Sequence, residues 1–246
     1  MEPARRWLKP GRISIVCLAV MLVTTGCAGG SASSAAHVSH TRTGSRQVLA
    51  TFSEFFIPTP GAEPADITQG PGETLWFTEE LGNKIGRITP DGRITEFSIP
   101  TPGAVPYGIA RGPDSALWFA ENDSNKIGRI TINGQITEFS IPTPRSHPLH
   151  ITPGADRTLW FTEESGNKIG RISVVGGNVS IREFLIPRPD SLPVGIIDSS
   201  NDTLWFTEIV YNRIGNVVIA GQESHLHVDR NNPGARFFGH NRPLKR

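Results

Sequence analysis

Cysteine is nearly absent from this 246-residue chain, and both copies, Cys17 and Cys27, lie close to its start. Cys17 falls inside a segment read as a removable leader, so Cys27 is the one thiol expected in the mature chain and no intrachain disulfide can staple the fold. Long apolar runs are lacking too. The run from Ile13 to Val23 has the length of a secretory signal core and is too short to span a bilayer. No stretch shows a 3.6-residue apolar period, and 26 Gly with 20 Pro interrupt the chain throughout, which excludes helical solenoids. Nor is there an excess of positive charge where a fold would use it. The formal net charge is +1, but outside residues 1–26 and 222–246 fifteen Lys/Arg face twenty Asp/Glu. A mildly acidic body argues against a nucleic-acid partner.

What is present at the start reads as an address. Arg5, Arg6, Lys9 and Arg12 precede the apolar run, and Thr24-Thr25-Gly26-Cys27 resembles a bacterial lipoprotein signal, with a small residue before a cysteine that becomes the lipidated N-terminus. The expected organisation is a signal peptide over 1–26 and a flexible Ser/Ala/Gly/Thr-rich tether over 27–47. Repeats follow over 48–220 and an irregular basic tail over 221–246. The protein is therefore expected outside the cytoplasm, touching the membrane only through a lipid on Cys27.

The body repeats one phrase four times: Leu75-Trp76-Phe77-Thr78-Glu79, Leu117-Trp118-Phe119-Ala120-Glu121, Leu159-Trp160-Phe161-Thr162-Glu163 and Leu204-Trp205-Phe206-Thr207-Glu208. The tryptophans are 42, 42 and 45 residues apart. Each unit holds four short apolar runs separated by turn residues; in the second they are Tyr107–Ala110, Leu117–Glu121, Lys126–Thr131 and Gln135–Ile141. Asn133-Gly134 and Asp91-Gly92 mark tight hairpin turns. Ile99-Pro100-Thr101-Pro102 and Ile141-Pro142-Thr143-Pro144 end the fourth run, because proline cannot continue a ladder. A four-stranded antiparallel meander repeated at this period is a β-propeller blade, and the fold class is all-β with about four blades. Alternation sets Trp76 and Thr78 on one face and Leu75 and Phe77 on the other, both apolar, as a blade between two neighbours requires.

With strands taken in order from the axis outward, the residue after each opening proline and the glutamate closing the second strand emerge on one face, near the axis. That face is the candidate site. The repeated glutamates have a plain reading as solvated or turn-capping groups. Their chemical reading is convergence on the axis as hard oxygen ligands for a divalent ion such as Mg²⁺. His225-Leu226-His227-Val228-Asp229 alternates potential metal ligands along one side of an extended segment, a softer signal.

The units Gly-Pro-Asp-x-x-Leu-Trp-Phe-x-Glu, Gly-Asn-Lys-Ile-Gly-Arg-Ile-Thr and Ile-Thr-Glu-Phe-Ser-Ile-Pro-Thr-Pro resemble the blade repeat of the streptogramin B lyases, also called virginiamycin B lyases, over about residues 50–218. The resemblance implies seven-bladed propellers that open a cyclic depsipeptide lactone at its ester by elimination, aided by magnesium. It also implies histidines directly after the opening proline and a glutamate fourteen residues later. Here the histidine position holds Ala65, Tyr107, Leu149 and Val194, while the glutamate position is filled in every unit. His150 lies one residue beyond the place, where alternation turns its ring away. The site residues this carries over are His150, Tyr107 and Glu121 for proton transfer and Glu121 with Glu163 for the metal. His147 stands in the preceding crossover and is expected to be exposed.

Phe52-Ser53-Glu54-Phe55-Phe56-Ile57-Pro58 is expected as a lone outer strand, and the fourth unit shows three strands without a matching fourth. The lone strand completes the last blade if a ring of four closes. An open arc suits better, since blade faces like those of a seven-bladed ring are cut for less than the quarter turn a four-bladed ring needs. The arc exposes two apolar faces and an edge, inviting self-association. Three functional readings stay open: a surface-tethered lyase, a non-catalytic propeller binding a small cyclic peptide, wall component or protein, and a truncated inactive copy.

Overall fold

The computed structural model describes residues 51–199, 203–220 and 223–228, with residue 220 and the last stretch as backbone only. The chain divides into two units, Met1–Glu54 and Phe55–Arg246. The leader 1–26, the tether 27–47 and Cys27 lie outside the described residues. Among the described residues no helix is long and apolar enough to cross a membrane.

The second unit is all-β, and its described strands form four four-stranded antiparallel sheets, each a consecutive meander. The first blade comprises β1 (Pro64–Gln69), β2 (Leu75–Glu79), β3 (Lys84–Ile88) and β4 (Ile94–Ser98). The second comprises β5 (Pro106–Arg111), β6 (Leu117–Glu121), β7 (Lys126–Ile130) and β8 (Ile136–Ser140). The third comprises β9 (Pro148–Pro153), β10 (Leu159–Glu163), β11 (Lys168–Val175) and β12 (Asn178–Leu185). The fourth comprises β13 (Pro193–Asp198), β14 (Thr203–Glu208), β15 (Arg213–Ala220) and β16 (Glu223–Val228). First strands pack on first strands in series, β1 on β5, β5 on β9 and β9 on β13, so these form the inner lanes.

Local chemistry accounts for the meander. Gly92 and Gly134 turn the outer hairpins at φ 83° and 85°, a region open to glycine at no steric cost. Asn83, Asn125 and Asn167 turn the middle hairpins at φ 53°, 58° and 55°. Each then uses its side chain to hold the crossover: Asn83 donates to the carbonyls of Ile99 and Thr101 and accepts from the Ala104 amide at 2.8 Å. Asn125 and Asn167 repeat this on their own crossovers.

Three cores lie between the four blades, and the same residue types recur at six equivalent places in each. Between the first and second blades Trp76, Ile85 and Ile99 meet Ile109, Leu117 and Phe119. Trp118, Ile127 and Ile141 meet Ile151, Leu159 and Phe161 at the next junction. Trp160, Ile169 and Ile186 meet Ile196, Leu204 and Phe206 at the third. Arg87, Arg129 and Arg171 cover the outer side of the three buried tryptophans, with guanidinium carbons 5.5, 5.9 and 5.6 Å from the ring centroids.

Two expectations about the ends of the series are corrected. The segment Phe52–Ile57 forms no strand, because the blade whose third strand it would pair with does not stand beside it. The fourth blade does have a fourth strand: β16, drawn from the tail expected to be irregular, pairs with β15. The open arc is seen in the burial of equivalent residues. Trp76, Trp118 and Trp160 are at most 1% exposed but Trp205 is 41% exposed, while Leu75 at the other end is 41% exposed against 0% for Leu117, Leu159 and Leu204.

Candidate functional site

Each inner strand carries a register shift directly after its opening proline. In the third blade Pro148 faces Glu163 and Ile151 faces Phe161, so Leu149 and His150 share one place opposite Thr162. The same bulge follows Pro64, Pro106 and Pro193. The alternation argument that turns His150 away from the site therefore fails where it is applied, because strict alternation stops at the bulge. Instead the His150 ring meets the Tyr107 ring edge to face, with centroids 6.0 Å apart. Both are half-buried. The approach depends on Gly108, where a Cβ would stand 2.7 Å from the Leu149 carbonyl oxygen and 2.9 Å from the His150 Cα.

A hydroxyl relay links the inner strands elsewhere. Thr78 Oγ1 accepts from the Asp66 amide at 3.1 Å and donates to the Tyr107 carbonyl at 2.6 Å. Thr162 Oγ1 accepts from the His150 amide at 3.1 Å and donates to the Val194 carbonyl at 2.8 Å. The second blade has Ala120 at this place, so the junction carrying Tyr107 and His150 lacks the relay. Asp66 adds a second bridge across the first junction, accepting from the Ile109 amide at 2.9 Å. Asp66, Gly108 and the threonines escaped the sequence reading; the signal available was Ala120, the one departure from threonine in the repeated phrase.

Backbone strain gathers beside the same prolines. Glu63, Val105, His147 and Leu192, the residues before them, have φ of 49°, 53°, 50° and 47°. Such values are costly for a β-branched residue such as Val105. Each carbonyl is held by an amide of the adjoining middle turn, that of Val105 by Asn122 at 3.1 Å and that of His147 by Glu164 at 3.1 Å. His147 is not free in its crossover: its Nδ1 lies 3.5 Å from Asn122 Oδ1 and 3.9 Å from an Asp123 carboxylate oxygen.

The strand-end glutamates are neither solvated nor gathered on the axis. Glu79, Glu121 and Glu163 are 0% exposed and Glu208 2%. In the first three blades the glutamate runs back into its own blade over a glycine: a Cβ on Gly128 would lie 2.7 Å from Glu121 Oε1, one on Gly82 2.7 Å from Glu79 Oε2 and one on Gly166 2.9 Å from Glu163 Oε2. There they meet a second glutamate on the outer strand, already engaged. Glu138 takes Lys126 Nζ at 3.1 Å and the Thr101 amide at 3.1 Å; Glu183 takes Lys168 Nζ at 2.9 Å and the Thr143 amide at 2.8 Å.

Burial opposes a second negative charge in each cluster. It pushes Glu163 up to about 8, helped by the Glu183 carboxylate, and Glu79 up to about 7, helped by Glu96. Glu121 also rises to about 7 by burial, although the Ser124 hydroxyl, donating at 2.6 Å, acts the other way. Burial also acts upward on Glu138 and Glu183, but hydrogen bonds from lysine and threonine outweigh it and hold both below the usual carboxylate range. The Ser146 hydroxyl acts weakly downward on Glu163, whose two buried oxygens have no other donor. A proton on Glu163 resolves this, since the carboxyl then donates to Glu183.

These residues do not fit magnesium. A hard cation needs several ionised oxygens with room for water, whereas Glu121 and Glu163 are fully buried in two different blades, where burial raises both carboxyls and disfavours their ionised forms. Among the described residues no three His, Cys, Asp or Glu side chains are placed to share an ion. The side chains of His225 and His227, and Asp229 altogether, lie outside what is described.

Comparison with known proteins agrees with the repeat. The model of the virginiamycin B lyase family matches residues 23–237. A crystal structure of virginiamycin B lyase from Staphylococcus aureus is 42% identical, covering 77% of this chain and 62% of its own, with TM-score 0.65. A catalytically inactive form of the Staphylococcus aureus enzyme with quinupristin is 45% identical over 74% of this chain and 59% of its own, TM-score 0.65. A streptogramin B lyase structure is 37% identical over 75% and 60%, TM-score 0.66. The chain thus spans about three fifths of the length of these solved lyases. On the family match and these identities, the chain belongs to the virginiamycin B lyase family.

Proposed function

We propose that the strip around Tyr107 and His150 binds a cyclic depsipeptide lactone, and that the chain acts as a binding propeller of its family. The observation that carries this is the ring pair itself. Two half-buried aromatic rings from adjacent inner strands form an amphipathic step, while the family's other expected groups, the strand-end glutamates, are sealed inside the blades. A flat cyclic peptide finds apolar contact on the phenol and imidazole and exposed polar edges around them. The test is calorimetric titration of the chain with quinupristin, the ligand present in the inactive lyase structure. Binding is expected to survive a chelator and to be lost in Tyr107→Ala; no heat with the wild-type chain overturns the reading.

A second reading is linearisation of the same lactone, favoured by the nearness of His150 to Tyr107. Elimination needs a base to take the proton beside an acyl carbonyl while the ester carbon–oxygen bond breaks and a carboxylate leaves. In this reading His150 serves as that base. Mass spectrometry of the incubated antibiotic separates the readings, since linear product that disappears in His150→Ala establishes the lyase and unchanged lactone removes it.

A further inference from the structure

The three internal junctions are one interface made three times, and its two halves stand uncovered at opposite ends of the series. The fourth blade presents the tryptophan half, with Trp205 41% and Ile214 51% exposed; the first presents the leucine half, with Leu75 41% and Ile67 58% exposed. The bare faces are complementary rather than alike, and each is apolar where a monomer ordinarily is not.

The occupant is indicated by Phe55. In each internal junction an outer-strand phenylalanine stacks on its own blade's tryptophan, as Phe97 does on Trp76 at 5.6 Å. Phe97 also lies over the turn glycine of the next blade, where a Cβ on Gly134 would stand 2.2 Å from its ring. Phe55 lies over Gly92 in the same manner, at 2.1 Å. It is thus seated on the first blade as the phenylalanine of a blade before it, and Ser53-Glu54-Phe55-Phe56-Ile57-Pro58 aligns with Thr95-Glu96-Phe97-Ser98-Ile99-Pro100. Among the described residues Phe55 has no tryptophan of its own, and Trp205 is the tryptophan left uncovered. In the outer lane beside it, β16 sets Val228 opposite Gly215, where the other blades set Glu96, Glu138 and Glu183 opposite Gly86, Gly128 and Gly170.

We propose that a second copy of this chain docks head to tail on the fourth blade, its segment 53–57 taking the outer lane from β16 so that its Phe55 stacks on Trp205. Thr207, which accepts from the Gly195 amide at 2.9 Å, then donates to the Ala65 carbonyl of the second copy. Thr78 and Thr162 make that bond inside the chain. Made twice about a twofold axis, the junction closes a ring of eight blades. The turn per blade falls only from about 51° in a seven-bladed ring to about 45°, within the range propellers span.

Sedimentation velocity of the full chain at micromolar concentration is expected to show a dimer. Trp205→Asp and Leu75→Asp should each weaken association about 100-fold, while an equimolar mixture of the two recovers dimer, because one junction in the mixed pair is intact. A wild-type monomer, a mixture that stays monomeric while both variants keep native circular dichroism, or species larger than a dimer overturns the proposal. Should either variant fail to fold, Ala65→Cys with Thr207→Cys, in a chain with Cys17 and Cys27 replaced by serine, decides. A dimer band under oxidation supports the junction and its absence overturns it.

Discussion

Glu163 and Glu183 face each other inside the third blade and are held in opposite protonation states, Glu163 raised to about 8 and Glu183 lowered. One cause serves both: a dry niche tolerates one carboxylate, and Lys168 with the Thr143 amide chooses Glu183.

The fold should therefore lose stability in alkali. Glu163 binds its proton more tightly folded than unfolded, so its contribution is complete below its ordinary 4.5 and disappears as pH rises through about 8. Glu183 has the opposite sign, contributing above 4.5 and losing its effect as pH falls through its lowered value. Glu163→Gln keeps the neutral shape, and thermal melts at pH 9 should show it more stable than wild type by on the order of 2 kcal/mol. Equal melting at pH 9 would mean that the pair is not proton-linked.

Val105 stands at φ 53° on the approach to the Tyr107 strand. Val105→Gly should relieve that strain and, after glycine's entropy cost, raise stability by about 0.5–1 kcal/mol. Denaturant titration measures this directly. A loss would show that valine's packing outweighs its backbone.

Gly108→Ala should act on both stability and binding. Its methyl must push β9 away from β5 at Leu149 and His150, costing about 1–3 kcal/mol. Widening the Tyr107–His150 step should then weaken quinupristin more than Gly195→Ala, whose Cβ would meet nothing nearer than 3.4 Å. Calorimetry on the two variants compares them.

Lipidation of Cys27 is checked by metabolic labelling with an alkyne fatty acid. Label and membrane association are expected in the wild-type chain and lost in Cys27→Ala, and label retained in that variant removes the anchor.

Several structural features were legible before any fold. The Leu-Trp-Phe phrase announced blades, its two apolar faces announced neighbours on both sides, and the four-unit count announced uncovered ends, because burial follows side-chain character and strand period directly. Glu121 was not legible in this way. A glutamate closing a strand reads as solvated, and its burial depends on Gly128 lying beneath it and on Glu138 arriving from the outer strand. The direction of His150 was not legible for a related reason, since one inserted residue after Pro148 cancels the alternation from which it was inferred.

By itself the sequence determined the blade, its period and its apolar faces, since these rest on contacts between residues a few positions apart. Tertiary structure alone decided that the strand-end glutamates are buried within their blades rather than solvated. It also decided that Tyr107 meets His150 and that Trp205 remains bare while Trp160 is sealed. Each of these depends on which blade stands beside which, and on dielectric and close approach, quantities that no local pattern carries.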